Sequence, residues 1–137
     1  MRWRMRDAAL LVGRFGLAGA VNTAIGFAVI VILDVGLHAP PALANVAGYA
    51  AGVGVGFLLN RGFVFRSQTG LAASGARFAI AALGAFVLNQ AVLRGAGLAL
   101  GGGAPAHVAA QLMAMAAYTA ALFALCRLWV FRPLAAA

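Results

Sequence analysis

The residues best equipped for chemistry in this chain form one short segment that occurs twice. Asn60-Arg61-Gly62-Phe63-Val64-Phe65-Arg66 returns 66 residues later as Cys126-Arg127-Leu128-Trp129-Val130-Phe131-Arg132. Each copy sets two guanidiniums and two aromatic rings within seven residues. Arginine presents a planar fork of donors that fits phosphate oxygens. A flat aromatic face beside it suits a sugar ring. The bland counterpart is the aromatic belt, with flanking arginines, that membrane proteins carry at the water interface.

Further polar groups stand in otherwise apolar surroundings: Asn22, Asn45, the pair Asn89-Gln90, and Gln111. Their structural reading is hydrogen bonding between spanning helices, worth about 0.6 kcal/mol each on average. Their functional reading is hydrogen bonding to a polar headgroup. Gly48, Gly52 and Gly56 recur every four residues and form one face of a helix, which permits close helix approach. Gly54 lies off that face. Asp34 and Arg94 fall at the edge opposite the duplicated segments, where they suit either a mutual ion pair or, for Arg94, contact with an anion leaving on that side.

Composition excludes several chemistries. All ten basic residues are arginine, Asp7 and Asp34 are the only acids, and only 9% of the chain is charged against 65% hydrophobic. A soluble domain carries about 25% charged residues. The basic excess is not read as a nucleic-acid footprint, because the arginines flank apolar runs. Cys126 is the single cysteine, so no intrachain disulfide forms. His38 and His107 are isolated, which leaves no metal cluster. No glycine-rich loop ending in Lys is present for a nucleotide. A proton-coupled cation exporter needs an intramembrane carboxylate, and the chain has no Glu while Asp34 sits at an edge.

The elements that must position these residues are membrane spans. Uncharged runs at 15–33, 35–60, 78–93 and 95–126 predict helices near 14–34, 42–61, 77–99 and 107–128. The third run is short, and Arg94 can snorkel to the interface. His38-Ala39-Pro40-Pro41 and Gly101-Gly102-Gly103-Ala104-Pro105 are turns, and Arg66-Ser67-Gln68-Thr69-Gly70 opens the central loop. The predicted fold is an all-α membrane protein: one domain over 1–137, with four transmembrane helices as two parallel-repeat hairpins, 14–66 and 77–132. Arg2, Arg4, Arg6 and Arg14, then Arg61, Arg66 and Arg77, then Arg127 and Arg132 fall on one side and only Arg94 on the other. Both termini are therefore expected in the cytoplasm. Arg14 interrupts the first apolar run, which argues for an uncleaved first helix over a secretory signal.

The repeat extends beyond the duplicated segment. Ala44, Ala50, Ala51, Phe57 and Leu59 recur as Ala110, Ala116, Ala117, Phe123 and Leu125, and Asn45 aligns with Gln111. Arg14-Phe15 matches Arg77-Phe78 more loosely, and each of these two helices carries one internal Asn, Asn22 about two turns in and Asn89 about three. Parallel repeats in small transporters set the substrate path at the repeat interface.

These residues also carry a family resemblance. Arg14-Phe15 with Gly19 and Asn22-Thr23, Leu43-Ala44-Asn45, Phe57-Leu58-Leu59-Asn60-Arg61 with Phe63-Val64-Phe65, and then Arg77-Phe78, Asn89, Gln111 and Arg127-Leu128-Trp129-Val130-Phe131 resemble the GtrA-like family over about residues 13–132. Cys126 departs from it, where Asn before Arg is more usual. The resemblance implies a non-enzymatic translocase, without cofactor, that moves a polyprenyl-phosphate hexose across the bacterial plasma membrane. It implies a headgroup site drawn from Asn22, Asn60, Arg61, Arg66, Asn89, Gln111, Arg127, Trp129 and Arg132. Arg61 and Arg127 would take the phosphate, and Asn22, Asn89 and Gln111 would replace water around the sugar. The alternative is a scaffold for a membrane glycosyltransferase. Four helices enclose little space, so a homodimer with parallel protomers is expected.

Overall fold

The computed structural model describes residues 5–132. Arg2 and Arg4, counted above for orientation, lie outside the described residues. The described chain is helical throughout, apart from short turns. It has four helices long and apolar enough to cross a membrane, α1 (Met5–Val31), α2 (Pro41–Leu59), α3 (Leu71–Leu100) and α4 (Ala104–Leu125). Pro41 and Pro105 stand in the first turns of α2 and α4, where a missing N–H costs nothing. Gly101 (φ 76°) and Gly103 (φ 108°) make the turn before α4 in a region that side chains disfavour.

The first and third helices are longer than the spans read from charge. The first starts at Met5 instead of 14, and the third at Leu71 instead of 77. Arg61 and Arg77, predicted as the end of the second span and the start of the third, lie inside helical segments that run on past them. A charge marks where hydrocarbon ends, not where a helix does, and Arg, Ala and Leu are all good helix formers.

The chain divides into two compact units, Met1–Ser67 and Gln68–Ala137. In the first, α1 packs along α2. Contacts run in opposite order along the two chains, Gly26 against Gly48 and Asn22 against Gly56, so the hairpin is antiparallel. In the second, α3 packs along α4.

Both hairpins are built inside out relative to a water-soluble bundle. Small residues fill the helix contacts: Ala18, Gly26, Ala44 and Gly48 in the first unit, and Ala81, Ala85, Ala110 and Ala114 in the second. Large apolar side chains face outward, among them Phe27, Val46, Leu83, Val87, Leu112 and Leu128. Hydrocarbon is as apolar as Leu, so the helices gain by close packing of small residues while bulky ones meet lipid. The chain is a multi-pass membrane protein.

Candidate functional site

Both copies of the duplicated segment end their helix in the same unusual way. α2 runs into a π-helical turn, Asn60–Val64, and α4 into another, Cys126–Val130. The Phe65 N–H donates to the Asn60 carbonyl at 2.9 Å, and the Phe131 N–H donates to the Cys126 carbonyl at 3.1 Å. Beyond the first turn Arg66 adopts a left-handed conformation (φ 47°), which lets the Ser67 N–H reach back to the Arg61 carbonyl at 2.8 Å. Such turns satisfy carbonyls that an α-helix leaves open. A third, Ile32–Gly36, ends α1 near Asp34 and His38 (φ 53°) at the opposite end of the first unit. The backbone device is therefore general, and the distinction of the arginine-rich end lies in its side chains.

Those side chains are clamped from the partner helix. Phe15 of α1 is buried and meets Phe65 edge-on, with ring centroids 6.4 Å apart. Arg14 stands 5.5 Å from the centroid of Phe63, a cation–π distance. In the second unit Phe78 of α3 packs on Phe131 at 6.3 Å, and Arg77 Nη1 lies 3.5 Å from the Trp129 carbonyl, at the long limit for a hydrogen bond. Phe63 and Trp129 are repeat equivalents. Each unit thus carries a collar in which an Arg-Phe pair from one helix grips the aromatic-Val-Phe of the other.

Arg14, Phe15, Arg77 and Phe78 were not among the residues assigned to a site from sequence. The signal was the repeated Arg-Phe doublet. It was obscured because the doublets are 63 residues apart and the duplicated segments 66. The difference falls at the far turn: α2 starts 20 residues before Arg61 and α4 starts 23 before Arg127.

This register sets the two internal Asn residues apart. With Arg14-Phe15 set on Arg77-Phe78, buried Ala18 matches buried Ala81, Asn22 matches Ala85, and Asn89 matches Gly26. Asn22 and Asn89 are not counterparts, since Asn89 sits one turn further from its collar.

The sequence-predicted residues separate accordingly. Asn22 is half-buried and its Nδ2 lies 2.5 Å from where a Cβ on Gly56 would stand. Asn60, one turn on, is 3% exposed and donates through Nδ2 to the Gly56 carbonyl at 2.7 Å. Gly56 therefore brings Asn22 and Asn60 together, with part-buried Arg61 next in the chain and exposed Arg66 beyond. In the second unit Arg127, Trp129 and Arg132 are exposed at the collar. Asn89 is about 18 Å along α3 from Arg77, and exposed Gln111 about 24 Å along α4 from Arg127, at 1.5 Å per residue. Neither joins its collar.

The charge of the collar has a local role as well. α2 and α4 present their carbonyl ends there, and Arg61 and Arg127 in the last turns offset that negative pole. Arg6, Arg14 and Arg66 in the first unit and Arg77 and Arg132 in the second add to the same ends. Among the described residues no cluster of His, Cys, Asp or Glu could hold a metal ion.

Residues 14–131 match the family described as GtrA/DPMS, transmembrane domain. This chain belongs to that family. The Arg-Phe pairs and the aromatic-Val-Phe segments of both collars fall within the matched residues. No curated protein and no solved structure matches the chain.

Proposed function

We propose that this protein is a passive translocase that carries a polyprenyl-phosphate monosaccharide from the cytoplasmic to the outer leaflet of a bacterial plasma membrane. The observation that carries the reading is the pair of collars: two spanning hairpins of a GtrA/DPMS domain, each with arginines and aromatic rings at the same end. Such a lipid has an apolar tail, one phosphate and a polar sugar. The tail stays in hydrocarbon while the headgroup crosses, and a bare charge there is costly. Arg61 with Arg66 in the first unit, and Arg127 with Arg132 and Trp129 in the second, offer donors to the phosphate on the cytoplasmic side. The arginine count supports cytoplasmic termini. Outward movement of one negative charge is favoured by about 2.3 kcal/mol per 100 mV across the whole field, so no nucleotide is needed. The outward Leu, Val and Phe side chains leave ample area for a second copy, and a parallel homodimer is proposed. A monomeric mass in lipid nanodiscs refutes that element.

The test is headgroup translocation in proteoliposomes with a fluorescent polyprenyl-phosphate hexose. Faster leaflet equilibration than in empty liposomes, lost in the folded Arg61→Ala/Arg127→Ala protein, supports the reading. No acceleration by folded wild type sinks it and leaves the scaffold of a membrane glycosyltransferase.

A further inference from the structure

The two hairpins share a collar but not the seam that leads away from it. Along α2 the seam face reads Gly48, Gly52, Gly56, Asn60, and along α4 the equivalent face reads Ala114, Tyr118, Leu122, Cys126. Opposite Gly56 stands Asn22, and its equivalent on α3 is Ala85, fully buried. Near the collar the first unit thus holds two amides around a glycine. The second holds Ala85, Leu122 and Cys126, all buried, in the matching places.

Those two amides are not satisfied. Asn60 Oδ1 is buried and accepts no hydrogen bond among the described residues. Asn22 Oδ1 accepts from the Thr23 hydroxyl at 3.2 Å, while its Nδ2 donates to no described residue. A buried polar atom without a partner is uncommon and calls for an explanation. An unused acceptor and an unused donor on either side of Gly56 are what a hydroxyl requires, because an alcohol donates one hydrogen bond and accepts others. An ionised phosphate only accepts, so it has nothing to give Asn60 Oδ1. Asn22 is the half-exposed member and forms the entrance, and Asn60 forms the inner wall.

We propose that Asn22 and Asn60, across Gly56, form a hydroxyl-binding site in the α1–α2 seam that reads the sugar of the headgroup, and that the second hairpin has no such site. The inference rests on the translocase reading and adds to it that recognition of the sugar is one-sided. The collars take the phosphate, and the first hairpin alone distinguishes a sugar-bearing lipid from the bare polyprenyl phosphate.

The experiment measures binding apart from transport. Purified protein in detergent is titrated with a polyprenyl-phosphate hexose and with the same polyprenyl phosphate lacking the sugar, and affinity is read from the shift in unfolding temperature. Wild type is expected to prefer the sugar-bearing lipid. Asn60→Cys, which installs the residue its own repeat carries, is expected to lose that preference by about three- to tenfold, the worth of a hydrogen bond, while binding of the bare lipid is unchanged. Cys126→Asn is expected to leave the preference intact. Should Asn60→Cys fail to fold, Asn22→Ala, which only removes atoms, gives the same reading. Retained preference in the folded variants overturns the site, the amides then holding only a water. Binding of both lipids without preference in wild type also overturns the site but leaves translocation standing. Binding of neither overturns the functional reading and the site together.

Discussion

Gly26→Ala tests whether the first hairpin is held by backbone contact. A Cβ at Gly26 would lie 2.9 Å from the Gly48 carbonyl oxygen and 3.6 Å from Gly52 Cα, and both are main chain that cannot swing aside. Ordinary contact needs about 0.5 Å more than that, and a gap of this size opened along a packed seam forfeits about a quarter of its dispersion energy. Overpacking of this kind costs about 1–3 kcal/mol. Replacing a helical Gly by Ala returns about 1 kcal/mol of helix propensity, so the net loss is smaller than the steric one. Gly54→Ala separates the two contributions, because nothing lies within 4 Å of its Cβ position. It keeps the propensity gain and has no clash. The expected result is that Gly26→Ala is less stable than Gly54→Ala by the full steric cost, about 1–3 kcal/mol, in SDS-induced unfolding followed by circular dichroism. Equal midpoints for the two variants would refute the packing argument.

Arg66 holds a left-handed conformation that costs a non-glycine residue about 1–2 kcal/mol. Arg66→Gly is therefore expected to raise the SDS midpoint while slowing lipid translocation, and His38→Gly, at the other end of the unit, to raise it without slowing transport. A destabilised Arg66→Gly would show that the guanidinium holds the turn. Phe15 and Phe65 are expected to couple by about 0.5–1.5 kcal/mol in a double-mutant cycle to Leu, and additive effects would deny the clamp. Cys126 is fully buried, so a maleimide is expected to leave it unlabelled in folded protein and to label it after SDS unfolding. Rapid labelling in mild detergent would contradict the packing of α4 at its collar.

Hydropathy and turn residues made the four spans legible, because hydrocarbon imposes a length and Gly and Pro mark where it is left. The helix ends were not legible by the same signal. Arg6, Arg14, Arg61 and Arg77 leave hydrocarbon but stay in helix, since charge does not break a helix that Ala and Leu support. The π-helical turns have no sequence mark of their own: Asn60–Val64 and Cys126–Val130 share an arginine and an aromatic ring, yet Ile32–Gly36 takes the same backbone form with neither. The glycine face of α2 was read from spacing, but its partner Gly26 was not, because one glycine in an apolar helix carries no period. Asn22 and Asn89 lie at different depths in their apolar runs, and the contacts of Phe15 with Phe65 and of Phe78 with Phe131 fix the register that separates them.

That separation bears on how the duplication is interpreted. Two equal collars do not imply two equal sites, because any pair of membrane hairpins benefits from arginines and aromatic rings at its cytoplasmic edge whether or not a ligand visits both. Selection for anchoring alone would preserve Arg14-Phe15 and Arg77-Phe78 with their partners. The seam is under no such common demand. A hairpin that only has to pack does best with small and apolar residues, as in Ala81, Ala85, Ala114, Leu122 and Cys126 of the second unit, where the half-buried Tyr118 is the exception. The first unit instead keeps Asn60 buried with an idle carbonyl, an arrangement that costs stability by about 1–3 kcal/mol, and Asn22 half-buried with a spare donor. Packing gives no return for that cost, which is the reason to test the first hairpin for a bound hydroxyl.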